Sequence, residues 1–178
     1  MADMSQPVLY LMIGYPGAGK TTVSKFIHEL TGAEHLWSDH IRHRLFKNPT
    51  HSKTESLELY THLNDLTDKL LSEGKSVIFD TNFNFYKDRE HLRTIAAKHG
   101  AKAVLIWVTT PLATARSRAT EQSHDQHTRI WGNMSITDFT RISSKLEPPR
   151  LNENAFEIDG AHITERTVQD LLKQAQVD

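Results

Sequence analysis

The sequence contains no cysteine. That excludes a disulfide framework, a thiolate metal site and a cysteine nucleophile. Long apolar runs are missing too: no stretch approaches the length of a membrane-spanning helix. The first residues, Met1-Ala2-Asp3-Met4-Ser5-Gln6, lack the basic flank and apolar core of a secretory leader. A cytoplasmic protein without membrane contact is the expectation. Charge of one sign is also absent, since 21 Lys and Arg stand against 22 Asp and Glu for a net charge of −1. A protein that wraps long duplex nucleic acid carries a basic face, so that class is disfavoured, although gripping only a strand end needs no such excess. No repeat, low-complexity tract or linker interrupts the 178 residues, and one domain spanning 1–178 is expected. The 11 histidines are scattered among polar neighbours and read as solvated surface positions.

What is present is concentrated near the start. Gly14-Tyr15-Pro16-Gly17-Ala18-Gly19-Lys20-Thr21 fits the phosphate-binding pattern G-x-x-x-x-G-K-[ST]. The glycines let the chain turn tightly and aim several backbone N–H groups at one anion. Lys20 is placed to reach the β- and γ-phosphates of ATP, and the Thr21 hydroxyl to ligate Mg²⁺. The nucleotide-contacting candidates are Gly14, Pro16, Gly17, Ala18, Gly19, Lys20, Thr21 and Thr22. The context agrees: Val8 to Ile13 is an unbroken apolar run that predicts a buried strand, and Thr22 to Leu30 predicts a helix ended by Gly32. Its positive dipole end adds to the anion site.

Further along, apolar runs alternate with helical patterns, the signature of a parallel sheet covered on both faces. Glu34 to Ser38, Ser76 to Asp80, Ala103 to Val108 and Ala155 to Asp159 complete five strands. Helices are predicted over Ile41 to Phe46, from a capping box at Ser52-Lys53-Thr54-Glu55, over Tyr86 to His99, from Thr110-Pro111, over Ser135 to Leu146 and over Thr164 to Gln176. The long helix after Ser52 carries Leu57, Tyr60, Leu63, Leu66, Leu70 and Leu71 on its expected apolar stripe. The result is an α/β three-layer domain.

The phosphate loop alone does not name a reaction. No N-K-x-D guanine-reading motif is present. In Ser38-Asp39-His40-Ile41-Arg42 a carboxylate follows the second strand, with an arginine one helical turn on. Such a carboxylate can take the proton of an attacking hydroxyl, and the arginine can hold an anionic acceptor. Asp39 is also a helix N-cap candidate, a role compatible with the first. Asp80 ends a buried strand, where it can hold Mg²⁺ or cap a turn, and Asn82 can orient an acceptor or the turn itself. His124 and His127 lack a third ligand at useful spacing and read as polar loop residues.

Gly14 to Thr21, Ser38-Asp39-x-x-Arg42, Val77 to Asn82 and the segment after Trp107 resemble the P-loop kinase group that contains polynucleotide kinases, zeta toxins and chloramphenicol phosphotransferase. The resemblance implies a five-stranded parallel sheet in the order 2-3-1-4-5, ATP and Mg²⁺, and phosphoryl transfer to a hydroxyl. In the polynucleotide kinases the aspartate matching Asp39 acts as base, and the arginine matching Arg42 contacts the acceptor phosphate. Residues 111–133 resemble the lid of these kinases. Arg116 matches the lid arginine best, with Arg118 and Arg129 as substitutes, because Thr120 stands where a second arginine often repeats. The acceptor stays open: a nucleic-acid 5′ end, a nucleotide, a nucleotide sugar, an antibiotic or another small molecule. A switch ATPase without an acceptor is the competing class.

Overall fold

The computed structural model describes residues 6–82, 85–121 and 132–177. Strand β1 (Val8–Ile13) is buried along its whole length. Successive side chains on a strand point to opposite faces, so its six apolar residues serve two cores at once. Leu9, Leu11 and Ile13 pack with Leu59 and Leu63 of α3 (Lys53–Ser72) and Leu92 of α4 (Tyr86–Lys98). Tyr10 and Met12 pack with Val23 and Ile27 of α1 (Lys20–Thr31) and Leu171 of α7 (Glu165–Gln174). Two covered faces explain why the run is continuous rather than alternating.

Four further strands complete the sheet: β2 (Glu34–Trp37), β3 (Val77–Asp80), β4 (Lys102–Thr109) and β5 (Phe156–Asp159). The order is β2-β3-β1-β4-β5 and every pairing is parallel. Central β1 lies between β3 and β4, with Leu11 opposite Phe79 on one side and Leu105 on the other. Connections leave β1 toward one edge first and the other edge later, so a crevice opens at the carboxyl ends of the strands. Gly14, Asp80 and Gly160 all lie just there. No helix among the described residues is long and apolar enough to cross a membrane.

Three local expectations are corrected. Helix α2 spans Ser38–Leu45, beginning three residues before Ile41, with extended Trp37 as its N-cap. The chain passes from β2 into α2 with no loop, so Asp39 sits in the first helical turn and is not the cap. On α3 the buried stripe is Leu59, Leu63, Thr67 and Leu71, whereas Leu57 is 70 % exposed. Leu57 lies two residues from Leu59, about 200° round the helix, and therefore faces away from the core. Helix α5 (Leu112–Thr120) takes Pro111 as its N-cap. The Thr110 hydroxyl instead donates to Ala18 O at 2.8 Å, tying the end of β4 to the phosphate loop.

Candidate active site

The phosphate loop is shaped by close approach from above. Gly17 has φ +79°, and a Cβ there would lie 2.3 Å from Ala115 O of α5. Only a residue without a side chain lets α5 settle on the loop. Ala115 and Ala119 make the contact face, buried with Phe139 of α6 (Ile136–Ser143). Gly160, after β5, is required in the same way, since a Cβ would fall 1.8 Å from Thr110 Oγ1 and 2.4 Å from Ala18 O. Lys20 opens α1 and is 7 % exposed. Its Nζ donates to Gly14 O and Tyr15 O, both at 2.9 Å, which holds the ammonium over the loop.

These parts surround a cleft of about 870 Å³, within the size range of small-molecule sites. Pro16, Gly17, Gly19, Lys20, Thr21 and Thr22 form its floor. Gly14 and Ala18 are buried beneath it. Asp39, exposed on the first turn of α2, faces the same cleft, as do Asp80 and Asn82 at the end of β3. Asp80 is 2 % exposed, and its Oδ2 meets His35 Nε2 of β2 at 2.8 Å. A hydroxyl and a carboxylate are hard oxygen donors of the kind Mg²⁺ takes. Thr21 and a buried Asp80 beside one phosphate loop therefore fit that ion.

Two arginines are placed differently from expectation. Arg116 is exposed and is not among the cleft residues. Arg118 lines the cleft and donates from Nη1 to Gly160 O at 2.9 Å. The two lie about 200° apart round α5, so with Ala115 and Ala119 on the loop only one of them can face the nucleotide side. Arg42 is also absent from the cleft wall. It is 8 % exposed, and its Nη1 donates to Glu55 Oε1 on α3. The sequence pattern Ser52-Lys53-Thr54-Glu55 predicts a capping-box role for Glu55. Ser52 Oγ does accept from Glu55 N at 3.2 Å, but the carboxylate turns to Arg42, Thr50 and His51 instead. Burial pushes the Glu55 carboxyl up, yet those hydrogen bonds outweigh it and hold it at about 2. Arg129, His124 and His127 lie outside the described residues.

Several cleft residues had no signal in the linear pattern. Lys25 and Trp37 form one wall, with Lys25 Nζ 5.3 Å from the indole centroid. His51, Asp138 and Arg141 line it as well. Gly160 itself was findable, because it follows a predicted strand at the carboxyl edge of a parallel sheet.

A nucleotide-sized cleft over a phosphate loop in a β2-β3-β1-β4-β5 sheet defines a P-loop kinase-like fold. The sequence profile of one family, described as an AAA domain, matches residues 9–139, and the chain belongs to that family. No curated protein matches the sequence. Solved structures of similar fold include a sugar kinase from Janibacter, 16 % identical, with 97 % of this chain and 95 % of that chain covered at a TM-score of 0.70. A gluconokinase from Sinorhizobium meliloti is 16 % identical, covering 97 % and 94 % at a TM-score of 0.65. The APS kinase of Mycobacterium tuberculosis, in complex with AMPPNP and APS, is 16 % identical, covering 96 % and 98 % at a TM-score of 0.69.

Proposed function

We propose that this protein is an ATP-dependent kinase that moves the γ-phosphoryl group to a hydroxyl of a small acceptor. The observation that carries the reading is Asp39. It is an exposed carboxylate on the first turn of α2, lining the same cleft as Lys20 and Thr21, and among the described residues no hydrogen bond or ion pair engages it. A switch ATPase has no use for a base beside an acceptor space. Structural neighbours named as sugar kinase, gluconokinase and APS kinase support the class of reaction.

Placement supports a division of labour. Backbone N–H groups of the loop and the α1 N-terminus bind the phosphates. Lys20 exchanges its two carbonyl partners for phosphate oxygens, and Arg118 approaches from the α5 side, where negative charge develops during transfer. When bound at Thr21 and Asp80, Mg²⁺ supplies neutralising charge to the phosphates. Asp39 accepts the acceptor's hydroxyl proton as the oxygen–phosphorus bond forms. The bond from the γ-phosphorus to the bridging oxygen breaks, and ADP leaves with that electron pair. The test is Asp39→Asn. The amide is nearly isosteric, so ATP binding measured by calorimetry should be unchanged. Transfer from labelled ATP should fall by about 10²–10⁴, the usual worth of a general base. Full transfer by Asp39→Asn would refute the role.

A further inference from the structure

Strand β2 lies at the edge of the sheet and pairs with β3, with His35 opposite Ile78 and Trp37 opposite Asp80. Paired residues of neighbouring strands share a face, and so do residues two apart on one strand. His35, Trp37, Ile78 and Asp80 therefore stand on the face covered by α1, where Ile78 packs with Val23 and Ile27. Leu36, between the two aromatic side chains, belongs to the opposite core. In this register His35 is the diagonal neighbour of Asp80, which is how its Nε2 comes to lie 2.8 Å from Oδ2.

The bond is directed and braced. An ionised carboxylate only accepts, so His35 Nε2 carries the hydrogen. The imidazole lies parallel to the Trp37 indole, with centroids 6.0 Å apart and planes 5° from each other. His40 meets that indole edge-on at 5.2 Å, and Lys25 Nζ stands over it. His35 does not itself line the cleft, whereas Asp80 does, so any part it takes in the reaction passes through Asp80. The sheet does not need this bond, because backbone pairing from Glu34 and Val77 to Trp37 and Asp80 already joins the two strands. What the bond does is hold one oxygen of a planar group, and that restricts where the other can point. Carboxylates that bind metal ions are commonly oriented by such hydrogen bonds.

We propose that His35 is a positioning residue for the divalent-cation site: its N–H pins one oxygen of Asp80, so the carboxylate meets the cation in a single orientation. This rests on the reading of Asp80 as a ligand, and the test separates the two. The affinity of AMPPNP is measured by calorimetry with and without saturating Mn²⁺, and the ratio of the two affinities reports the metal's contribution without any turnover. His35→Phe keeps a ring to stack on Trp37 and removes the donor; the ratio should fall by about 10–100-fold. Affinity without metal should stay within about twofold, because the phosphate loop is untouched. His35→Gln keeps an N–H at similar reach without the ring and should restore the ratio to within about threefold of wild type. If His35→Phe fails to fold, His35→Asn, whose shorter amide falls short of Asp80, carries the same expectation. An unchanged ratio in His35→Phe overturns the proposal, and so does equal weakening with and without Mn²⁺, which marks a structural role alone. Asp80→Asn is the reference. If it lowers the ratio and His35→Phe does not, only the proposal for His35 falls; if it leaves the ratio unchanged, Asp80 is no ligand and both readings fall.

Discussion

Glu153→Gln is expected to destabilise the protein by about 3 kcal/mol at neutral pH, and the number can be reached by two routes. Glu153 ends the short 3₁₀ turn Leu151–Glu153 just before β5. Its Oε1 accepts from Arg89 Nε at 2.6 Å and Arg93 Nη2 at 2.9 Å, and its Oε2 from Arg89 Nη2 at 2.7 Å and Arg150 N at 2.7 Å. The side chains of Arg89 and Glu153 are both 0 % exposed. Arg89 Nη1 is buried with no hydrogen-bond partner among the described residues, so the guanidinium has no spare compensation there if the carboxylate is lost. Breaking a buried pair by removing one partner costs about 3–5 kcal/mol. The second route is the titration of Glu153. Burial pushes its carboxyl up, but the bonds from Arg89, the Arg150 amide and Arg93 prevail and bring it from 4.5 to about 2. At about 1.4 kcal/mol per pKa unit, that is again about 3 kcal/mol.

The clamp ties α4, which follows Asn82, to the turn that feeds β5 and Gly160, so it braces two walls of the cleft. Urea unfolding of both proteins from pH 7 to pH 2.5 measures it. A carboxyl depressed in the folded state stabilises above its unfolded pKa, and that stability is lost as pH falls through the folded value. The gap between wild type and Glu153→Gln should therefore be widest above pH ~5 and close between about 4.5 and 2. For a chain of this size it corresponds to a melting difference of roughly 6–12 °C at neutral pH. Equal midpoints at pH 7, or a gap that stays constant into acid, would refute the reasoning.

Three other outcomes follow from the site. Gly17→Ala should weaken ATP binding and lower the melting temperature, because the new methyl meets Ala115 O at 2.3 Å on a left-handed backbone; strain there is on the order of 1–3 kcal/mol, and unchanged calorimetric affinity would contradict the packing. Arg118→Ala should cut transfer by about 10²-fold while Arg116→Ala stays within about twofold, and the reverse ranking in a steady-state assay would move the phosphate-facing side of α5. Asp80→Asn should raise the Mg²⁺ concentration needed for half-maximal transfer, and activity indifferent to chelation would remove Thr21 and Asp80 as ligands.

The parts of this site that were legible in sequence are those whose physics is local. The phosphate loop works through backbone N–H groups, so Gly14 to Thr21 carries its own instructions. The caps at Ser52, Ser135 and Thr164 likewise bind their own helices, at Glu55 N, Asp138 N and Thr167 N. Side-chain roles at the cleft depend on partners remote along the chain, and there linear pattern is weaker. Asp39 looked like a cap because aspartate often starts helices, but β2 feeds α2 directly and Trp37 holds that position. Which of Arg116 and Arg118 lines the cleft is not written in the arginines themselves. It follows from Ala115 and Ala119, whose small side chains four residues apart let α5 press on Gly17.

Glu55 shows the limit most sharply. Its place three residues after Ser52 is right for a capping box, and half of that box forms. The other half does not, because the carboxylate has a stronger partner in a buried guanidinium 13 residues earlier. Desolvating Arg42 without a counter-charge would cost more than leaving one helix N-terminal N–H to another acceptor, so the ion pair takes Glu55. Spacing locates an arginine one turn from the candidate base, while the third residue of the next helix pairs its charge inside the fold.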